Sequence, residues 1–371
     1  MAEPEAPEVA AAAELVDEGI HAYEAGRIVA AIGRFEQALR LYQRVNQVTG
    51  MADCLGNLGN CYYRLGQIRQ AIEYGEDALT LRRGLGDWQG VGLNLSNLGC
   101  YYMVLGQTPR AAEYFEQALG LAGEWEDRRG RAMRLNNLGN VYSALGELPR
   151  ALEYYQEALA VQRALGDRPG EAVHLTNLAN ALVDDGRAAE AIAPARESVE
   201  ICRANHLPAS HSHIALALAY LFSGDLASAR EAAEGAREYD EPNNNHSALA
   251  VLGVIALRQG DGPAAHEAFA AAREQAKLML ARDAQNVDAL DALGVAACGL
   301  ALTAAAKPGQ DIDSGEGQYG AEAVAAFEMA RAINRDAGVV QRLLRLLAVL
   351  MEDDRRGRLT RAREAAGGAG L

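Results

Sequence analysis

Asparagine carries the most conspicuous pattern of potential chemistry in this chain. Asn57, Asn97, Asn137 and Asn177 follow one another at equal steps, and Asn60, Asn140 and Asn180 stand three residues beyond three of them. A carboxamide holds a donor and an acceptor side by side, so one Asn can match the N–H and the C=O of a peptide backbone together. Asn is also a poor interior helix residue, so recurrence at a fixed place asks for a reason. Either the series binds a polypeptide, or it forms a ladder of hydrogen bonds between neighbouring helices.

The other reactive residues assemble no catalytic set. His206, His211 and His213 lack the ligand spacing and the fourth ligand of a zinc site, and read better as an inter-repeat turn and helix start. Asp311, Asp313 and Glu322 imitate a calcium loop, but Glu316 stands where that loop needs glycine and Gly315 where it needs a ligand. Cys54, Cys61 and Cys100 have no adjacent His or Arg to depress a thiol pKa and read as structural. Lys277 and Lys307 precede Leu278 and Pro308, so no phosphate-cradling loop is present. Nothing brings a nucleophile, a base and an orienting group together. Neither catalysis nor a metal or cofactor is expected.

What positions the asparagines is a repeat. Leu55-Gly-Asn-Leu-Gly-Asn-Cys-Tyr-Tyr-Arg-Leu-Gly66 returns as Leu95-Ser-Asn-Leu-Gly-Cys-Tyr-Tyr-Met-Val-Leu-Gly106 and as Leu135-Asn-Asn-Leu-Gly-Asn-Val-Tyr-Ser-Ala-Leu-Gly146, then more loosely from Leu175 to Gly186. A turn glycine recurs at Gly26, Gly66, Gly106, Gly146, Gly186, Gly224 and Gly260. Each unit reads as two helices. The first has an apolar stripe such as Leu58, Tyr62 and Leu65, and the second begins after the glycine and ends at a Gly-Asp corner, as at Gly86-Asp87 and Gly166-Asp167. Small residues recur seven before the glycine (Gly19, Gly59, Gly99, Gly139) and five and twelve after it (Ala71 and Ala78, Ala111 and Ala118). They let the paired helices approach closely.

This pattern resembles the tetratricopeptide repeat family, with a unit longer than the usual one and without the usual proline after the second helix. The Asn-Leu-Gly-Asn version is similar to the repeats of Pins-type spindle proteins and kinesin light chains, and to the sensor arms of bacterial signalling NTPases. The resemblance implies an all-α, right-handed superhelical solenoid of about eight helix pairs with a C-terminal capping helix. It also implies that the Asn series faces a concave groove and holds the backbone of an extended peptide. Leu93, Met133 and Val173 would then stand on the groove wall beside Asp53, with Ser96, Asn136 and Thr176 between. In the sixth and seventh units the equivalent face turns apolar, including Ile214, Leu218, Phe222, Val251, Val254 and Leu257. The Lys and Arg residues with which chaperone adaptors of the family grip a terminal carboxylate are absent from these positions.

The expected organisation is a structureless segment at 1–9 and a solenoid at 10–335. Its repeats fall near 12–50, 52–90, 92–130, 132–170, 172–208, 210–244, 246–285 and 287–335, the last with a loop at 304–320. A capping helix at 336–351 should show Gln341, Arg342, Arg345 and Glu352 to water, and a flexible tail should fill 352–371. The capping helix carries more leucines than one docking face uses, which points to a homodimer through it.

Composition agrees with a helical array and narrows the job. Half of the 371 residues are apolar but only 6% are aromatic, a balance that favours helices over sandwiches or barrels. The excess of Arg and Ala suits a GC-rich bacterial genome. A net charge of −15 argues against nucleic acid or an anionic membrane as partner. No apolar run is long enough for a membrane helix, and the acidic, Pro-containing start is unlike a signal peptide. Five scattered cysteines suit reduced thiols in a cytoplasm. The sequence therefore predicts a non-catalytic scaffold or adaptor that binds an extended or short helical segment of another protein, one with basic flanks. The alternative is a sensor or autoinhibitory arm of a bacterial signalling NTPase or transcription regulator.

Overall fold

The computed structural model describes residues 7–122, 128–239, 245–304, 312–354 and 357–368, and every regular element in them is helical. The chain forms two compact units, Met1–Val141 and Tyr142–Leu371, with the division inside the seventh helix.

The first unit holds α1 (Pro7–Glu24), α2 (Ile28–Arg44), α3 (Val48–Arg64), α4 (Ile68–Leu85), α5 (Trp88–Val104), α6 (Thr108–Ala122) and most of α7 (Arg128–Leu145). Odd and even helices pair, α1 on α2, α3 on α4 and α5 on α6, and α2 and α4 then pack on the following odd helix. All seven turn glycines adopt positive φ, between 68° and 91°, the backbone state in which a side chain would be strained. Where the corner after a second helix lacks glycine, Asn46 and His206 take the left-handed conformation instead. At the Gly-Asp corners, Asp87 accepts from the Gly90 N–H at 3.0 Å and Asp167 from the Gly170 N–H at 3.1 Å, so each aspartate caps the next first helix.

The small residues do the work their spacing predicts. A Cβ on Gly99 would lie 2.7 Å from the Phe115 ring, and one on Gly19 2.6 Å from Phe35, so in both pairs the phenylalanine occupies the space a side chain would need. Beside these contacts, a tyrosine on the first helix stacks on one from the second: Tyr62 on Tyr74 with centroids 5.2 Å apart, and Tyr102 on Tyr114 at 5.3 Å. Arg110 lies over Tyr102 at 4.2 Å.

The second unit continues the pattern with α8 (Leu148–Leu165), α9 (Arg168–Asp184), α10 (Ala188–Ala204), α11 (Ser210–Ser223), α12 (Leu226–Arg237), α13 (Asn245–Arg258), α14 (Gly262–Arg282), α15 (Val287–Thr303) and α16 (Ile312–Ile333). Tyr142 stacks on Tyr154 at 5.5 Å, and Phe269 and Phe327 close on Gly253 and Gly294. Two more helices follow, α17 (Ala337–Glu352) and α18 (Thr360–Arg363), the latter running into a turn at Glu364–Gly368.

Four expectations change at the ends. The helix begins at Pro7, inside the segment read as structureless, while residues 1–6 lie outside the described residues. Much of the expected loop at 304–320 is the start of α16, because Tyr319, Ala323 and Phe327 continue one stripe and outweigh the local glycines; residues 305–311 lie outside the described residues. The segment read as a flexible tail buries Leu359, Ala362 and Ala366, and α18 with its turn packs on α16. Finally, α17 packs on the Glu364–Gly368 turn, α15 and α9 rather than stacking as the next layer of the array. Of the polar residues expected to face water on α17, Arg342 and Glu352 do so, while Gln341 and Arg345 are half-buried.

Candidate functional site

In the first unit the face of interest is built on α3, α5 and α7. Asn57, Asn97 and Asn137 occupy one helical position on these three helices and all are half-buried. One turn earlier on α5 and α7 stand Leu93 and Met133, 54% and 60% exposed, a large apolar side chain left to water at the same register twice. The equivalent of these on α3, Asp53, accepts from Arg82 at 2.6 Å; Arg82 also reaches Asp87 at 2.6 Å and so ties α3, α4 and the start of α5 together. Asn60 has the ladder role: the Tyr101 hydroxyl donates to its Oδ1 at 2.7 Å, linking α3 to α5. Asn140 is exposed on α7. Ser96 donates back to the Gly92 carbonyl at 2.8 Å and receives Arg134, a buried arginine that spacing alone gave no reason to single out. Asn136 is buried.

The second unit repeats the motif once and then departs from it. Val173 is 54% exposed on α9, with Asn177 half-buried one turn on. Thr176, expected beside the groove, is buried in a hydroxyl cluster with Ser198 at 2.8 Å and Ser212 at 3.0 Å, and so joins α9, α10 and α11. Asn180, Leu218 and Phe222 come together on the wall of a cavity of about 340 Å3 formed by α9, α11, α13, α15 and α17. The apolar stripe of the sixth and seventh units divides accordingly. Val251 and Val254 are buried, while Ile214, Leu218, Phe222 and Leu257 remain half-buried.

The polar lining of that cavity was not legible as a set. It includes Asp184, His211, His246, Asp288, Asp291, Arg342 and Arg345, drawn from five helices. Asp291 is gripped by Arg331, both of its oxygens 2.6 Å from one guanidinium nitrogen. Arg342 donates to Asp184 at 2.7 Å, and Arg345 donates to the Val183 carbonyl at 2.6 Å. His246 is 2% exposed with neither ring nitrogen hydrogen-bonded, and burial depresses its pKa below the ordinary histidine value despite the nearby Asp288. The one available signal was acidic residues spaced i, i+3 on a first helix, Asp288 and Asp291.

The remaining candidates disperse. His206 is in its left-handed corner, His213 is buried against Gly235 and Tyr239, and His211 lines the cavity. Glu322 is held by Arg273 at 2.6 Å and Lys277 at 2.8 Å; Asp311 and the side chain of Asp313 lie outside the described residues. Burial pushes the thiols of Cys54 and Cys298 up to about 12 and those of Cys61 and Cys100 up to about 11, the reverse of a nucleophile's environment. Among the described residues no helix is long and apolar enough to cross a membrane.

Comparison with known proteins agrees with this architecture. A tetratricopeptide repeat model matches residues 10–84, 92–164 and 130–204, and a second tetratricopeptide repeat model matches 214–279. The chain belongs to the tetratricopeptide repeat family. No curated protein matches its sequence. Among solved structures it is similar to the apo form of RapI, at 16% identity and a TM-score of 0.60 over 71% of this chain and 97% of that one. The Rap conjugation gene regulator of plasmid pLS20, in complex with the Phr* peptide, aligns at 19% identity and a TM-score of 0.53 over 72% and 74%. A signal transduction ATPase with a tetratricopeptide repeat sensor from Pyrococcus horikoshii aligns at 18% and 0.55 over 63% of this chain and 37% of that one.

Proposed function

We propose that this chain is a non-catalytic module that binds a polypeptide segment on its first-helix faces. The observation that carries the reading is the recurring pair of an exposed apolar residue and, one turn on, a half-buried carboxamide: Leu93 with Asn97, Met133 with Asn137, Val173 with Asn177. Isolated exposed apolar residues are ordinary. Each such residue beside a group able to pair with a peptide bond offers both halves of peptide recognition, a pocket contact and a backbone bond. The similarity to a Rap regulator whose structure holds a peptide supports the same reading.

The test begins with peptides selected from a random display library on the purified full chain. Replacing Asn97, Asn137 and Asn177 with Ala should weaken a selected peptide by more than tenfold, about 1.4 kcal/mol, while helicity and melting stay nearly unchanged. Unchanged affinity in a folded triple variant would defeat the proposal. A second reading, a sensor arm acting on an NTPase, is favoured by the alignment with the Pyrococcus horikoshii ATPase, of which this chain matches the minor part. A partner NTPase whose turnover responds to the added chain would establish it.

A further inference from the structure

We infer that α17 is an exchangeable occupant of the second unit's first-helix face, and that the partner this face takes in its place is an amphipathic helix built like α17. The required pattern is Val340, Leu343, Leu347 and Leu350 on one side, with two arginines a turn apart beside them. The inference rests on the proposed binding role of the first-helix faces and adds the partner's chemistry for one of them.

Four observations support it. First, α18 and its turn cover α16, whereas α17 rests on that turn, α15 and the end of α9. Second, its polar contacts go to groups that any arginine-bearing helix could use. Asp184 and the Val183 carbonyl sit at the C-terminus of α9, where the helix dipole favours a cation. Arg258 holds Glu352 at the other end. Third, the fit is incomplete. A half-open groove of about 340 Å3 remains beside α17, and His246 on its wall keeps both ring nitrogens unpartnered. Fourth, with α17 displaced the face offers the carboxylates of Asp184 and Asp288, Asp291 being paired with Arg331, so a basic helix would be steered to it. The apolar side of α17 is partly covered: Leu347 and Leu350 are 1% and 0% exposed, while Leu344 and Leu346 stay half-buried.

A tethered segment competes at an effective concentration on the order of a millimolar, so the native chain should bind a free copy of α17 weakly. The probe is a fluorescein-labelled peptide of residues 337–352, titrated by anisotropy into the full chain. Two variants open the face by different means. Gly338→Leu blocks the approach of α17 to the Ser143 carbonyl, against which a Cβ at 338 would collide, and Arg342→Glu with Arg345→Glu removes the clamps. Each opened chain should bind the peptide at least tenfold tighter than the native chain, and the peptide with both arginines changed to Glu should bind neither. Equal binding by native and opened chains would overturn the inference. If the variants fail to fold, hydrogen exchange on the unaltered chain decides: amides of α17 should exchange at least tenfold faster than those of α9 and α15. Exchange of all three helices together would make α17 a permanent layer and overturn it. Peptides selected for the Asn97 and Asn137 face should bind alike in every case, which separates this failure from failure of the proposed function.

Discussion

At the scale of single residues, burial sets the chemistry more than neighbouring charge does. The thiols of Cys54, Cys61, Cys100 and Cys298 are raised to about 11 or 12 chiefly by desolvation. At pH 8 these four should react with a thiol dye at least about a hundredfold more slowly than free cysteine and recover full reactivity in denaturant. A fast native reaction at any of them would contradict the burial argument. Because the folded thiols bind their protons more tightly than the unfolded ones, their contribution to stability is full below about pH 8.5 and is lost as pH rises through 11–12. Histidine behaves in the opposite sense. Burial depresses His174, His213 and His246 below the ordinary value near 6.5, so their contribution is full above that pH and falls as pH drops below it. Each unit of depression is worth about 1.4 kcal/mol. The melting temperature should fall between pH 7 and pH 5, and less steeply in His246→Leu, even though Asp288 on α15 favours the charged form of that ring while Asp291 is paired with Arg331.

At the scale of helices, close approach outweighs intrinsic propensity. Gly→Ala in an open helix position gains about 0.5–1 kcal/mol, and Gly33, with nothing within 4 Å of its Cβ position, should show that gain. Gly99→Ala should instead lose about 1–3 kcal/mol through overpacking, because the new methyl would lie 2.7 Å from Phe115. Denaturant titration of the two variants gives opposite shifts in midpoint if the packing account holds. The small residues, the turn glycines and the asparagine register were all legible because each is a local demand repeated in sequence. Spacing told less about which way an ambiguous residue faces. Asn60 and Thr176 carry polar groups suited to a ligand, yet bond to Tyr101 and to Ser198 and Ser212, partners far away in sequence. Arg342 and Arg345 read as a solvent face because nothing near them in sequence reveals Asp184 or the Val183 carbonyl.

At the scale of the molecule, the division at residue 141 also escapes the repeat pattern, since the Asn-Leu-Gly-Asn helix runs through it without a break in register. The shared framework of successive repeats has a bearing on heredity. Removing residues 67–106 would place Gln107 after Gly66, where Gln67 now stands, and bring Gly59 and Tyr62 to Phe115 and Tyr114 in place of Gly99 and Tyr102. The glycine and tyrosine contacts at that seam are replaced by their counterparts, so the shortened chain should still unfold cooperatively and keep the helicity per residue of the parent. Loss of Gly75 alone should do far more damage, because it turns the rest of α4 by about 100° and swings its apolar stripe off α3. Circular dichroism melts of the two deletions would test the contrast. A gene built on such a unit can gain or lose whole units in frame, and the protein should tolerate a forty-residue change better than a single-residue one.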